Sequence, residues 1–499
     1  MSELDACLLA RFPGPQVPDW LRRWLDDGLG GVLLFAENIT GPGQLRDLAA
    51  DLRSQHPGVL IAADEEGGVV TRAEARTGSS YPGNAALGAV GDPGLTRQVA
   101  ASIGAMLASG GINLDLAPVA DLGCHPPNPI VGVRSFGADP ARVAAHTAAF
   151  VAGVQSNLVA ACVKHFPGHG RTDADSHLTL PVVGASLGEL RAADLVPFQA
   201  AIDAGVRSVM TAHVVFPAVD DLPATISRRF LAGVLRAELG FGGVIITDAL
   251  GMAAISDGVG SAEGALRSLV AGADLLCLPA EPAAQQLARD TLARAIRSGD
   301  LPGDRVAESA ARVRALAAWA QPRPAAAPDP ALGAAAARRA LLVDTLLVNT
   351  GQVPLAAPPY VLDAGGRMSG LLDDDAGSLL GVLRERAPAV DGVRLAEPPD
   401  DPAELDVLIA RAAARPLVLA VRDAHRRPWQ AEMLGRVLAR RPDTVVVGTG
   451  TVHDRIFASG RYLGTRGAGR ANLVAAADLL LGPAGSAAPR KRGPAAEAT

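Results

Sequence analysis

The chain has 499 residues, more than one hydrophobic core usually supports, so two domains are expected. Its net charge of -6 is small for that length, and its 46 basic residues are scattered without the interleaved aromatics of a nucleic-acid groove, which excludes a polyanion partner. MSELDACLLARFPG contains no long apolar run, so neither a signal peptide nor a membrane segment is expected there; Cys7, Cys124, Cys162 and Cys277, far apart and without CxxC spacing, read as four buried thiols in a reducing cytoplasm.

In chain order, apolar runs fall at 8–12 (LLARF), 31–38 (GVLLFAEN), 58–66 (GVLIAADEE), 112–121 (INLDLAPVAD), 158–166 (LVAACVKHF), 208–216 (SVMTAHVVF), 243–250 (GVIITDAL) and 273–279 (ADLLCLP), eight expected strands. Helical spacing fills the intervals, with starts at Asp92-Pro93 and Asp139-Pro140 and a capping box at Ser186 and Glu189. Near-continuous apolar strands alternating with helices imply a parallel sheet covered on both faces. Eight such units in about 300 residues fit an α/β (β/α)8 barrel over 1–320 better than an open sheet.

In that fold chemistry sits at the C-terminal ends of the strands. The third to seventh runs end in or beside Asp64, Asp121, Lys164-His165, His213 and Asp248, which brings ionisable groups to one rim. One strand-end aspartate is ordinarily a cap; five such ends together need another explanation. Beyond 320 a Pro/Ala-rich stretch, QPRPAAAPDPALGAA, reads as a linker over 321–336. A smaller α/β layered domain is expected over 337–483, with apolar runs at 341–350, 359–365, 416–423 and 443–450, and a disordered tail over 484–499. There is no internal repeat.

KHFPGHGRTDADSHLTLP, residues 164–181, concentrates Lys164, His165, His169, His177 and two aspartates. His165 and His169 are four apart, but Pro167, Gly168 and Gly170 make a shared helical face improbable, so no metal site is expected. Lys164 could suggest a Schiff-base enzyme; the adjacent imidazole and nearby carboxylates favour a charged lysine that binds hydroxyls. Asp175, two positions before His177, can accept an imidazole N–H, fix one tautomer and raise the ring's pKa, which describes a general acid/base. An Asx-type loop in which Asp175 caps backbone amides is the alternative that spacing leaves open. Asp248, held at the rim by the apolar run behind it, is the candidate partner across the substrate.

ADEEGG (63–68), NPIVGVRSFG (128–137), KHFPGHGRTDADSH (164–177), VMTAHVVF (209–216), PATIS (223–227) and LGFGGVIITDALGM (239–252) together resemble the β-N-acetylglucosaminidases of glycoside hydrolase family 3. The likeness runs through the barrel in the family's order; the second domain resembles the family's only in outline. It implies a retaining hydrolase, without cofactor, that releases terminal β-linked N-acetylglucosamine from a glycoside or muropeptide, as a monomer or homodimer. Asp248 matches the family's nucleophile, His177 its acid/base and Asp175 the orienting partner, so a histidine replaces one of the two carboxyl groups of most retaining enzymes. Asp64, Arg72, Arg134, Lys164 and His165 match positions that hold sugar hydroxyls and the acetamido group. His213 matches the family's AH dipeptide, in support of the site or in contact with substrate.

Val69 departs from the arginine that commonly follows the EGG turn, which removes one ion pair. Two other functions compete. A phosphorylase would resolve the glycosyl-enzyme with phosphate, and a histidine acid/base permits this by adding no negative charge beside the anion. A non-catalytic sugar-binding protein would have no need of Asp175, His177 and Asp248. A β-glucosidase is disfavoured, because the family's glucosidases usually draw their acid/base from the second domain.

Overall fold

The structure, a computed structural model, describes residues 3–126, 128–365, 378–399, 401–458 and 460–482. The chain divides into two compact units, the first comprising mainly Met1–Ala340 and the second beginning at Leu341.

In the first unit eight parallel strands follow one another round a barrel: β1 (Leu8–Ala10), β2 (Gly31–Leu34), β3 (Leu60–Ala63), β4 (Leu114–Asp115), β5 (Ala160–Phe166), β6 (Ser208–Thr211), β7 (Val244–Ile246) and β8 (Leu276–Cys277). β8 pairs with β1, and a parallel bridge between Ile246 and Leu275 closes the ring. Side chains alternate as a strand's two-residue period requires. Leu9, Leu33, Leu60, Ala62, Leu114, Ala160, Cys162, Met210, Val244 and Ile246 fill the barrel, while Leu8, Val32, Leu34, Ile61, Ala161, Val163, Val209 and Ile245 pack under the helices. The helix Gly303–Trp319 adds Val313, Leu316 and Ala317 to the barrel interior. Trp319 lies under Arg207, the residue before β6, so this plug closes the N-terminal end and leaves the opposite rim as the mouth.

The expected helix starts are present. Asp92 and Asp139 accept the amides of Leu95 and Arg142, and Ser186 and Glu189 cap reciprocally. Strands are shorter than the apolar runs. The fourth run yields only Leu114–Asp115, because Pro118 has no N–H to donate to a ladder. The sixth run splits: β6 ends at Thr211, and Val215–Phe216 pairs antiparallel with Asp220–Pro223 in a hairpin beside the rim.

Two expectations are corrected. The second half of the supposed linker is a helix, Pro330–Ala340, whose Ala336, Ala337 and Ala340 are buried. Small side chains permit that close approach: a Cβ on Gly333 would stand 2.2 Å from the carbonyl oxygen of Ser80. The four cysteines are unbridged, but Cys124 is exposed on a rim loop while Cys7, Cys162 and Cys277 are buried.

The second unit is a six-stranded sheet in the order Leu342–Val343, Tyr462–Gly464, Val445–Gly448, Leu417–Val421, Tyr360–Asp363, Asp391–Arg394, parallel except for the antiparallel first pair. Three expected strands are present. The run at 341–350 is mostly not strand, since Thr345–Asn349 turns into helix after Asp344. Asp391–Arg394 and Tyr462–Gly464 were not foreseen, the first because DGVR carries no apolar alternation. The tail at 484–499 lies outside the described residues. No described helix is long and apolar enough to cross a membrane.

Gly88, inside the helix Asn84–Val90, would place a Cβ 1.8 Å from the Phe136 carbonyl oxygen. Gly88→Ala is expected to destabilise the barrel by about 1–3 kcal/mol, seen as a lower urea midpoint for the barrel transition; an unchanged midpoint would contradict this packing.

Candidate active site

Asp64 and Glu66 follow β3 directly and, being two apart in extended chain, turn to the same side. Glu65 between them points away, where one carboxylate oxygen takes the amides of Arg72 and Ala73 and so anchors the chain that carries Arg72. Burial, against hydrogen bonds from Thr71, Ala73 and Arg72, pushes Glu65 up to about 7. The turn that follows requires glycine. Gly67 and Gly68 have φ of 75° and 61°, and a Cβ on Gly68 would meet the Gly83 nitrogen at 2.6 Å.

Across the mouth, the β5–β6 register shifts between Val163 and Phe166, a bulge that re-aims Lys164 and His165. Lys164 Nζ donates to Asp64 Oδ1 at 2.7 Å and lies 2.8 Å from Glu66 Oε1. Arg134 holds Glu66 with a two-pronged fork, Nε to Oε2 at 2.9 Å and Nη2 to Oε1 at 2.7 Å. Arg72 adds a looser contact to Asp64 at 3.6 Å. Three cations and two carboxylates thus alternate in one buried chain. Burial alone would raise the Glu66 carboxyl, but Arg134 and Lys164 hold it well below the usual range. Burial would likewise lower the Lys164 ammonium, and Asp64 and Glu66 outweigh it and raise it. Lys164 is therefore a charged donor, unlike the desolvated amine of a Schiff-base enzyme.

The loop's three histidines are each tied to a neighbour. His165 Nδ1 meets Asp121 Oδ2 at 2.7 Å, and the other Asp121 oxygen accepts the His169 amide. His169 is bracketed by Thr172 and Ser176, and burial with His165 nearby lowers it to about 4. Asp175 Oδ1 accepts both the backbone N–H of His177, at 2.8 Å, and its ring Nδ1, at 2.9 Å. The two readings of that triplet are thus combined in one oxygen. The bond from Asp175, against partial burial and aided by Asp248, raises the His177 pKa. Ala254 N–H binds the Ser176 carbonyl at 3.3 Å, which fastens this loop to the segment after β7.

Asp248 stands two residues beyond β7, with Oδ1 accepting the Ala249 amide at 2.7 Å. Burial by itself would raise this carboxyl, but His213, His165, the Ala249 amide and His177 bring it down to about 2. His213 is wholly buried; it bonds Thr225 at 2.8 Å and the Ala249 carbonyl at 3.0 Å. It lies behind the cavity and does not line it.

These residues enclose a cavity of about 370 Å³ at the barrel mouth, within the range of small-ligand sites. Asp64, Arg72, Arg134, Lys164, His165, His177 and Asp248 all line it; Asp175 and His213 stand behind it. Sequence reasoning missed Glu66, the anion that Lys164 and Arg134 share, although its spacing from Asp64 signals a common face. It also missed Arg11 and Phe35 on the opposite wall.

Residues 16–316 match the family model for the glycosyl hydrolase family 3 N-terminal domain. The chain belongs to glycoside hydrolase family 3. A β-hexosaminidase from Pseudomonas aeruginosa is 39% identical over 273 residues, 53% of this chain and 80% of that protein. One from Stenotrophomonas maltophilia is 42% identical over 283 residues, 54% and 83% respectively. The solved family 3 β-N-acetylglucosaminidase from Paenibacillus sp. superposes with a TM-score of 0.86 at 32% identity and covers 96% of both chains. This family 3 chain is accordingly a glycoside hydrolase.

Removing the charge of Glu66 leaves two buried cations without it. Glu66→Gln is expected to cost about 3–5 kcal/mol in urea unfolding, whereas Asp51→Asn, which breaks the half-exposed Arg22–Asp51 pair, costs at most about 1 kcal/mol. Because the Glu66 pKa is depressed from 4.5, its contribution is complete above that value and is lost as pH falls through the folded-state pKa. Glu66→Gln should therefore flatten the acid side of the stability profile; equal costs for the two variants would refute the network's role.

Proposed function

We propose that this family 3 hydrolase is a retaining exo-β-N-acetylglucosaminidase. The observation that carries the reading is a pair of groups on one cavity with opposite protonation: Asp248, held ionised at about 2, and His177, raised by Asp175. Two titratable groups pushed apart by their surroundings are the signature of acid and nucleophile. The names of the relatives, β-hexosaminidase and β-N-acetylglucosaminidase, support the sugar.

In the first step an Asp248 oxygen bonds to the anomeric carbon as the glycosidic C–O bond breaks. The His177 Nε2 proton passes to the departing oxygen, and Asp175 at Nδ1 stabilises the imidazolium before it gives up that proton. In the second step neutral His177 takes a proton from water, whose oxygen displaces Asp248 from the anomeric carbon. Two displacements at one carbon retain its configuration. Asp64 accepts from sugar hydroxyls, and Lys164, Arg134 and Arg72 donate to hydroxyl and acetamido oxygens, with His165 fixed beside them by Asp121. A terminal N-acetylglucosamine on a cell-wall muropeptide, hydrolysed in a reducing cytoplasm, is the substrate setting we propose. The second unit is read as a separate α/β domain after the barrel.

A histidine in place of a second carboxylate also suits a phosphorylase, since no added negative charge repels phosphate. Incubation with 4-nitrophenyl N-acetylglucosaminide in phosphate and in Tris separates the readings: free N-acetylglucosamine in both supports hydrolysis, and the sugar 1-phosphate in phosphate supports phosphorolysis. The glucoside and N-acetylgalactosaminide in the same panel should be poor substrates.

Asp248→Ala should lower kcat by roughly 10⁴-fold or more. His177→Ala should lower kcat on chitobiose by roughly 10²–10⁴-fold and on the 4-nitrophenyl glycoside much less, because that leaving group needs little protonation; equal losses would contradict the acid role. His177 must carry its proton in the first step, so the basic limb of kcat/KM follows its raised pKa. Asp175→Asn removes the cause of the rise and should move that limb to lower pH; an unmoved limb would count against the pair.

A further inference from the structure

Four cations line the cavity, and three of them face carboxylates at the distances given above: Lys164, Arg134 and Arg72. Arg11 is the exception. It leaves the end of β1, four strands round the ring from β5, and so faces Lys164 across the mouth. Its guanidinium lies 3.8 Å over the ring of Phe35, and among the described residues no carboxylate pairs with it. Glu281 lines the same cavity from an exposed position at its edge and makes no ion pair with it.

This placement is built. Gln285, fully buried, accepts the Arg11 amide at 3.3 Å and donates to the Arg11 carbonyl at 2.8 Å, which pins the backbone on both sides. Phe35 packs against the guanidinium at 3.8 Å, and Arg72 approaches the same ring at 5.2 Å. Hydroxyls are already served by the opposite wall and would gain little from a further cation. A carboxylate or phosphate would gain charge-assisted, two-pronged hydrogen bonds from a planar fork that is preorganised and partly shielded from water.

We infer that Arg11, laid on Phe35, is a specificity-determining residue that receives an oxyanion, carboxylate or phosphate, entering the cavity with the sugar. The inference rests on the N-acetylglucosaminidase reading for the sugar and adds a charged group to it. Such a group can be carried by the glycoside or be free phosphate, and the two sources separate by experiment.

Three matched comparisons supply the test: 4-nitrophenyl N-acetylglucosaminide against its 6-phosphate; chitobiose against a disaccharide whose second sugar bears a carboxylate; and the neutral aryl glycoside with and without inorganic phosphate at constant ionic strength. In the wild-type enzyme at least one anionic arm should gain about tenfold, read as kcat/KM for the two anionic glycosides and as kcat for free phosphate. Arg11→Gln should bring that ratio close to one, and Arg11→Lys, which keeps charge but loses the fork, should fall between. The arm that responds identifies the source. No anionic preference in any arm, or an undiminished ratio in Arg11→Gln, overturns the inference. If the neutral glycosides are not turned over, it is the sugar reading that fails; calorimetric binding of N-acetylglucosamine 6-phosphate and of inorganic phosphate to wild type and Arg11→Gln then decides for or against Arg11.

Discussion

Lys164 shared between Asp64 and Glu66 is the interaction on which the rest of the site depends. Taking an ammonium and a carboxylate out of water costs several kcal/mol each, and removing one partner strands the other. The cost is met only because the charges alternate without a gap from Arg72 through Asp64, Lys164 and Glu66 to Arg134. Three chain segments far apart in sequence, the turn after β3, the loop holding Arg134 and the bulge in β5, are locked into one wall as a result. A ligand entering there would meet donors and acceptors already held by one another, with little left to order on binding.

The opposite side of the mouth works by separation instead of pairing. Asp248 keeps its charge because imidazoles and an amide surround it, with His213 contributing from behind the cavity wall. His177 gains basicity from one oxygen of Asp175 that also fixes its backbone, so orientation and proton affinity have a single cause. Facing Lys164, Arg11 contributes a cation that no carboxylate among the described residues neutralises, which would let a sugar pocket distinguish charge.

The scaffold explains why such groups can be placed so close together. Alternating Leu, Val, Ile and Ala side chains fill the barrel, and the helix Gly303–Trp319 plugs its far end. The apolar barrel interior and the plug at its far end hold the unit together, which leaves the rim to carry residues chosen for chemistry. The hydrogen bond from the Ala254 N–H to the Ser176 carbonyl ties the loop carrying Asp175 and His177 to the segment that follows Asp248.

Local pattern determined much of this protein. Eight apolar runs separated by helical spacing specify a parallel barrel, because each strand is buried on both faces and each helix on one. Asp92, Asp139 and Ser186 are legible as caps because the hydrogen bonds they make span three residues. Asp175 and His177 were legible as a pair for the same reason. Tertiary structure alone decided the rest. Glu66 joins Lys164 across 98 residues of chain and Arg134 across 68, His213 withdraws behind the wall to Ala249, and Arg11 finds Phe35 instead of a carboxylate. Cys124 is exposed, against the expectation of four buried thiols, and part of the alanine-rich stretch expected as linker packs as helix on Ser80. Spacing along a chain reports hydrogen bonds that close within a few residues; which charges meet across a barrel depends on strand register and bulges, which no short stretch of sequence contains.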